Sequence, residues 1–175
     1  GIASSTTLTI DQAAPTFVTN FPAVANRTAN GFEVDVKLDE PGLAYVVLVA
    51  ATDTTTATAA NVSTPSSIWG GDSQAPLFAG NVSVTNAAAA QPYVVFVTGL
   101  SADTDYKVYL VAEDDSGNLM ASVVMLTAST ISTRYWVGPD GGAWDDNNNW
   151  SSTSGGAGGV GYPAAGDTAV FDGNG

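Results

Sequence analysis

Hydrophobic and polar positions alternate most clearly over residues 31–40. The apolar positions are every second residue, namely Phe32, Val34, Val36 and Leu38. The positions between them carry charge, namely Glu33, Asp35 and Lys37. A period of two is typical of a β-strand with one buried face and one solvated face. This segment is therefore predicted to be a half-buried strand.

Similar patterns predict six further strands. Residues 42–50 are apolar on both faces, which favours a central strand. The segment 106–114 turns its alternate residues inward, namely Tyr106, Val108, Leu110 and Ala112. The seven predicted strands are residues 15–22, 31–40, 42–50, 80–86, 92–100, 106–114 and 120–130. Strands this short, separated by turns such as residues 115–118, indicate an all-β fold and a seven-stranded β-sandwich.

Residues 51–80 form a long Ala/Thr/Ser/Gly-rich excursion between two of these strands. Long loops of this kind are uncommon unless they are functional or held by their own side chains. The expected anchors onto the sandwich are Trp69, Leu77 and Phe78. One short helical turn is predicted at 64–71, where Ser66 or Ser67 could cap it.

The charge balance restricts the partners of the chain. The formal net charge is −13, with four basic residues, so phosphate backbones and anionic lipid surfaces are repelled. No apolar run approaches 18 residues, and membrane insertion is not expected. Cysteine is absent, which excludes disulfides and thiol chemistry.

After Ile131 the composition changes to a Trp/Gly-rich segment with three of the four tryptophans. A piece this small rarely folds alone without a disulfide or a metal, so it should dock on the sandwich or be truncated. The predicted organisation is a sandwich at 14–131 and a small β-segment at 132–175.

The residue types argue against an enzyme. Histidine is absent, which excludes Ser-His-Asp and Cys-His nucleophilic sites and His-ligated metals. A carboxylate pair could serve a glycosidase. However, most of the 17 acidic residues fall at predicted turns or on solvated strand faces. We therefore expect no catalysis.

The sequence favours calcium as a structural ion, and no other cofactor is expected. Calcium accepts six to eight oxygen ligands and tolerates irregular loops. The candidate ligands are Asp39, Glu40, Asp114, Asp115, Asp145 and Asp146. None has EF-hand spacing, and Asp and Asn are also the residues that turns prefer, so 113–118 can equally be a plain hairpin.

Aromatic side chains provide candidates for sugar stacking. The candidate residues are Trp69, Trp144 and Trp150, of which the last two lie among Asp and Asn residues. The alternative is that the tail tryptophans form a small core, because this segment has few other apolar anchors.

The segment 99–118 carries a family resemblance. Leu100, Thr104, Tyr106, Val108, Leu110 and Ala112 follow a Leu-x3-Thr-x-Tyr-x-Val-x-Leu-x-Ala pattern. This pattern resembles the E–F corner and F strand of fibronectin type III domains, which have an immunoglobulin-like sandwich fold. The resemblance implies that Tyr106 bonds back to upstream backbone as a structural corner, flanked by Leu100 and Thr104.

Both ends of the chain resemble parts of large bacterial surface proteins. Residues 8–17 resemble the junction between consecutive modules, which implies that residues 1–13 are a strand or linker of a preceding module. The tail is similar to segments of autotransporter-like secreted proteins that often precede parallel β-solenoid coils. The matching positions are Trp136, Trp144, Trp150, Pro163, Gly166, Asp167 and Phe171.

These observations favour an extracellular structural or adhesive module of a bacterial cell-surface or secreted protein. Its partners would be neighbouring modules of the same protein. One alternative is a self-assembling filament or surface-layer subunit, in which Leu8 and Ile10 belong to a strand donated to an identical subunit. Another is a carbohydrate-binding module that uses the tail aromatics or residues 51–80 to bind glycans.

Overall fold

The computed structural model describes residues 11–65 and 75–174. Their regular structure is almost entirely strand. The strands are β1 (Ala23–Thr28), β2 (Gly31–Val36), β3 (Gly42–Ala50), β4 (Phe78–Val84), β5 (Tyr93–Thr98), β6 (Asp105–Asp114), β7 (Val124–Ser129), β8 (Thr133–Trp136), β9 (Trp150–Ser151) and β10 (Thr168–Val170). One short helix, α1, spans Ala59–Ser63, and a 3₁₀ turn spans Asn147–Asn149. None of these described helices has the length and hydropathy needed to cross a lipid bilayer.

The first seven strands form two antiparallel sheets. One sheet has three strands in the order β1-β2-β5, and the other has four in the order β4-β3-β6-β7. β3 and β6 pair along the whole of β3, from Gly42 opposite Asp114 to Ala50 opposite Tyr106. The prediction of a central strand at 42–50 is therefore confirmed.

One hydrophobic core is shared by the inner faces of the two sheets. It takes alternate residues of β2, β3, β5 and β6, together with Leu38, Val84 and Ala128. Each of the apolar residues predicted to face inward from 31–40 is at most 3% exposed. Burying a Val, Leu or Phe side chain contributes roughly 1.5–3 kcal/mol. Two antiparallel sheets over a common core are compatible with a β-sandwich.

A second, smaller cluster covers the outer face of β3 and β6. Val47 and Val49 of β3 and Tyr109 and Val111 of β6 are buried there against Val62 of α1. The helix begins with a capping box, in which Thr58 and Asn61 bond each other's backbone amides. Part of the 51–80 excursion therefore lies against the sheet, which explains why β3 is apolar on both faces.

The anchors of this excursion differ from the prediction. The side chain of Leu77 is 58% exposed, and this residue is held to β3 by its backbone amide, which donates to the carbonyl of Leu48, whereas the side chain of Phe78 packs against the main core. The principal anchor is Val62, which has no exposed surface. Trp69 lies outside the described residues.

Two predicted elements are also displaced. The segment 15–22 forms only an isolated bridge, between Phe17 and Leu38, and the edge strand of the sheet is β1 at 23–28. The helical turn predicted at 64–71 is wrong at 64–65, because the helix ends at Ser63. Residues 66–71 are not among those described.

The chain joins the sandwich at opposite ends. At the N-terminal pole, the carbonyl of Asp11 accepts a hydrogen bond from the side chain of Asn118, in the β6–β7 turn. At the C-terminal pole, the amide of Ile131 donates to the carbonyl of Thr28, where β1 ends. The ten residues of β6 run between these poles, a distance of about 30 Å at the usual rise of a strand.

The residues after Ile131 form a third small sheet with the order β10-β8-β9. β8 pairs antiparallel with β9 and parallel with β10. Arg134 of β8 forms a salt bridge of 2.8 Å with Asp103, in the loop before β6. The C-terminal unit (residues 132–174) therefore lies against the C-terminal pole of the sandwich.

Candidate functional site

The hydroxyl of Tyr106 links the start of β6 to the loop before it. The side chain is 4% exposed, and its oxygen accepts a hydrogen bond of 3.1 Å from the amide of Ser101. Its ring lies 6.5 Å from the ring of Phe32 in the opposite sheet. Tyr106 therefore fixes the loop and contributes to the core at the same time.

Thr130 is a member of this corner that the sequence pattern did not indicate. Its hydroxyl donates to the carbonyl of Ser101 at 2.7 Å and accepts from the amide of Thr104 at 3.1 Å. The hydroxyl of Thr104 donates to the nearby carbonyl of Ala102 at 2.9 Å. The amide of Leu100 donates to the carbonyl of Asn30, in the turn between β1 and β2. No local signal could identify Thr130, because its partners are 26 and 29 residues away.

We expect Tyr106→Phe to lower the free energy of unfolding by about 1 kcal/mol or more, because it removes the acceptor of a part-buried hydrogen bond from the amide of Ser101. Chemical denaturation followed by circular dichroism measures this change. Tyr162→Phe is the matched control, because Tyr162 is 48% exposed. Equal stability of the two variants would contradict a structural role for the Tyr106 hydroxyl.

Three carboxylates meet at the N-terminal pole. One oxygen from each of Asp11, Glu40 and Asp114 lies within 4.8 Å of the others. Partial burial, followed by the charges of three nearby aspartates, raises the pKa of Glu40. Glu40 and Asp114 were predicted from the sequence as calcium ligands. Asp11 was not, because it approaches them only through the fold.

The other predicted calcium ligands are not members of this cluster. Asp39 turns to Thr16 and accepts from its amide and its hydroxyl, each at 2.7 Å. Asp115 and Asp145 are exposed, and Asp146 caps the 3₁₀ turn. Asp114 already accepts three hydrogen bonds from Ser116 and Asn118 that close its own turn. Structural calcium stays a prediction. Among the described residues, the carboxylates close enough to share an ion are the three at the N-terminal pole.

The aromatic residues of the C-terminal unit gather around Trp150. This side chain has no exposed surface, and its indole N–H donates to the carbonyl of Trp144 at 2.7 Å. Its ring makes edge-on contacts with Trp144 at 4.7 Å, Trp136 at 5.1 Å and Phe171 at 5.7 Å. The prediction that Trp150 stacks on a sugar is therefore wrong, because a fully buried ring offers no face to a ligand.

Two members of this cluster remain open to solvent. Trp144 is 48% exposed and Phe171 is 62% exposed. Together with the half-buried Trp136 they line a cleft of about 550 Å³, whose other side is the turn 138–142. Trp144 was predicted from the sequence as a sugar-stacking residue, whereas Phe171 was not, because a single phenylalanine near the end of the segment carries no periodic signal.

Asp167 fastens the C-terminal unit near the C-terminal pole. Its carboxylate accepts from the amides of Ser132 and Ala164, each at 2.9 Å. Burial raises the pKa of Asp167, but these hydrogen bonds and the charge of Arg134 outweigh burial, and the net pKa is below its usual value.

A carboxyl with a lowered pKa stabilises the fold at neutral pH, and this contribution is lost as the pH falls through the folded-state pKa. We therefore expect the C-terminal unit to loosen below about pH 4, where the unfolded carboxyl begins to bind protons. The variant Asp167→Asn should be less stable at pH 7 and should show a weaker acid dependence. Tryptophan fluorescence in an acid titration measures both, and an unchanged acid dependence would contradict this role.

No protein-family model matches this chain, and no curated protein matches it. Its function must therefore be argued from its own residues.

Proposed function

We propose that the chain is a non-catalytic structural or adhesive module of a bacterial cell-surface or secreted protein. It acts as a spacer whose sandwich holds neighbouring parts apart and presents the C-terminal unit. The observation that carries this proposal is the position of the two poles. Because the chain joins the sandwich at Asp11 and leaves it at Ile131, tension between them runs along the strands.

The fold family proposed for the sandwich is fibronectin type III or immunoglobulin-like. The division into β1-β2-β5 and β4-β3-β6-β7 supports this proposal. The hydrogen bond from the amide of Ser101 to the hydroxyl of Tyr106 supports it as well, because a tyrosine corner is made in this way. A non-catalytic role is supported by the absence of histidine and cysteine from the sequence.

The C-terminal unit is proposed to be related to a β-solenoid. Its support is the parallel pairing of β8 and β10, in register from Thr133 opposite Thr168 to Tyr135 opposite Val170. More than 30 residues separate the two strands, as in one coil of a solenoid that returns beside its start. Parallel pairing between consecutive coils is the characteristic contact of that architecture.

The mass of the full chain in solution tests the spacer proposal. Light scattering should give the mass of one chain, with single particles in electron micrographs, for the full chain and for a version without residues 1–11. The filament alternative predicts polymers that disappear on this deletion. That result would overturn the spacer proposal, and it would assign strand donation to the segment with Leu8 and Ile10, which lies outside the described residues.

A further inference from the structure

The two exposed rings of the C-terminal unit lie on one cleft. Large apolar side chains that are exposed together, beside polar groups, are typical of binding sites. We propose that this cleft binds a neutral saccharide, with the faces of Trp144 and Phe171 as the platform. This goes beyond the spacer role, because it gives the presented unit a ligand.

The angles between the rings favour a flat ligand. The plane of Phe171 is tilted by 33° from that of Trp136 and by 38° from that of Trp144, with centroids 5.8 Å and 6.2 Å apart. Neither tilt approaches a right angle. The face of a pyranose ring presents C–H groups, which are attracted to the negative face of an aromatic ring. A cage for an ammonium group would instead need rings that surround the cation.

The platform is held in place before any ligand arrives. Trp150 lies edge-on to Trp144 and Phe171, at 71° to each ring. Its indole N–H also fixes the carbonyl of Trp144. A surface that is already ordered loses little conformational entropy on binding, which favours affinity.

The opposite wall of the cleft presents peptide groups, with few side chains in front of them. It is the turn 138–142, in which Gly141 has a φ of +76° and open space where a side chain would begin. Gly138 approaches Asn149 so closely that a Cβ atom would lie 2.5 Å from its side chain. The peptide groups of this turn and the exposed carboxylate of Asp140 are the partners available for sugar hydroxyls.

The charge of the cleft selects against anionic sugars. None of the described residues that line it is cationic, and Asp140 adds a negative charge. The only basic residue of the C-terminal unit, Arg134, is itself buried and forms a salt bridge with the exposed Asp103. Uronates, sulfated glycans and nucleotides are therefore repelled, and a neutral saccharide is favoured.

The test is a titration of the full chain with neutral hexasaccharides of glucose, xylose, mannose and N-acetylglucosamine. Binding is measured by calorimetry and by tryptophan fluorescence, which reports on this unit because it holds three of the four tryptophans. We expect saturable binding of at least one oligosaccharide. Trp144→Ala and Phe171→Ala should each weaken that binding by about tenfold or more.

Phe96→Ala is the control, because Phe96 is 65% exposed on β5 and does not line the cleft. It should bind as the unchanged chain does. Near-ultraviolet circular dichroism shows whether each variant keeps its fold. If Trp144→Ala does not keep its fold, the binding measured for Phe171→Ala decides the test.

Three results would overturn the proposal. The first is no saturable binding across the panel. The second is binding that survives both aromatic substitutions in folded protein. The third is that the cleft binds tetramethylammonium in place of sugar, or that the chain associates with itself and Phe171→Ala removes this association.

Discussion

Trp150→Ala is expected to unfold the C-terminal unit while leaving the sandwich folded. Trp150 has no exposed surface and contacts three other aromatic rings, so its removal leaves a large cavity. Replacing a buried tryptophan by alanine costs about 3–5 kcal/mol. A unit of this size without disulfides is only marginally stable, so such a loss exceeds what it can tolerate.

Limited proteolysis and tryptophan fluorescence measure this effect. In Trp150→Ala, cleavage should begin after Ile131 and leave a resistant sandwich fragment. Trp144→Ala is the matched control, because Trp144 is 48% exposed and its carbonyl, which Trp150 bonds, is retained. A tail that stays resistant to protease in Trp150→Ala would contradict the assignment of Trp150 as its core.

Leu110→Ala is expected to destabilise the sandwich by about 3 kcal/mol or more. Leu110 lies in the middle of the four-stranded sheet, where it pairs with Val46 on one side and Val124 on the other. Its side chain has no exposed surface, and buried Leu→Ala substitutions cost about 2–5 kcal/mol through lost burial and the cavity left behind.

Guanidinium denaturation followed by far-ultraviolet circular dichroism measures this loss. Met125→Ala on the adjacent β7 is the control, because Met125 is 51% exposed, and its effect should stay within about 0.5 kcal/mol. A Leu110→Ala variant as stable as Met125→Ala would show that the two sheets do not share the core described above.

The parts of the fold that the sequence predicted are those with strong local periodicity. The alternation in 31–40 placed Phe32 and Leu38 on the buried face, because each strand position points to the opposite side of its neighbour. β1 was missed, since an edge strand with polar residues such as Asn26 and Arg27 carries no clear alternation. α1 was missed because its five residues are too few for a helical period.

The candidate sites depended on contacts between distant residues, which no local pattern reveals. Asp11 reaches Glu40 and Asp114 only when the chain crosses the N-terminal pole. Residue type alone could not show which tryptophan is buried, and the structure places Trp150 in the small core while leaving Trp144 accessible. The smaller hydrophobic cluster on the outer face of β3 could not be predicted either, because its anchor Val62 lies in a segment without clear hydrophobic periodicity.

The central claim is that the sandwich carries tension from pole to pole, and single-molecule pulling tests it most directly. Because the chain has no cysteine, two introduced ones define the points of attachment. Gln12→Cys with Thr133→Cys loads opposite poles, whereas Gln12→Cys with Ser116→Cys loads one pole. Force between opposite poles shears the strand ladders, and force at one pole separates their hydrogen bonds one after another.

We expect the opposite-pole chain to resist the higher force and to yield in one step, with a contour-length gain of roughly 400 Å. An opposite-pole chain that yields at the same or a lower force than the one-pole chain, or extends through several small steps, would contradict the spacer account.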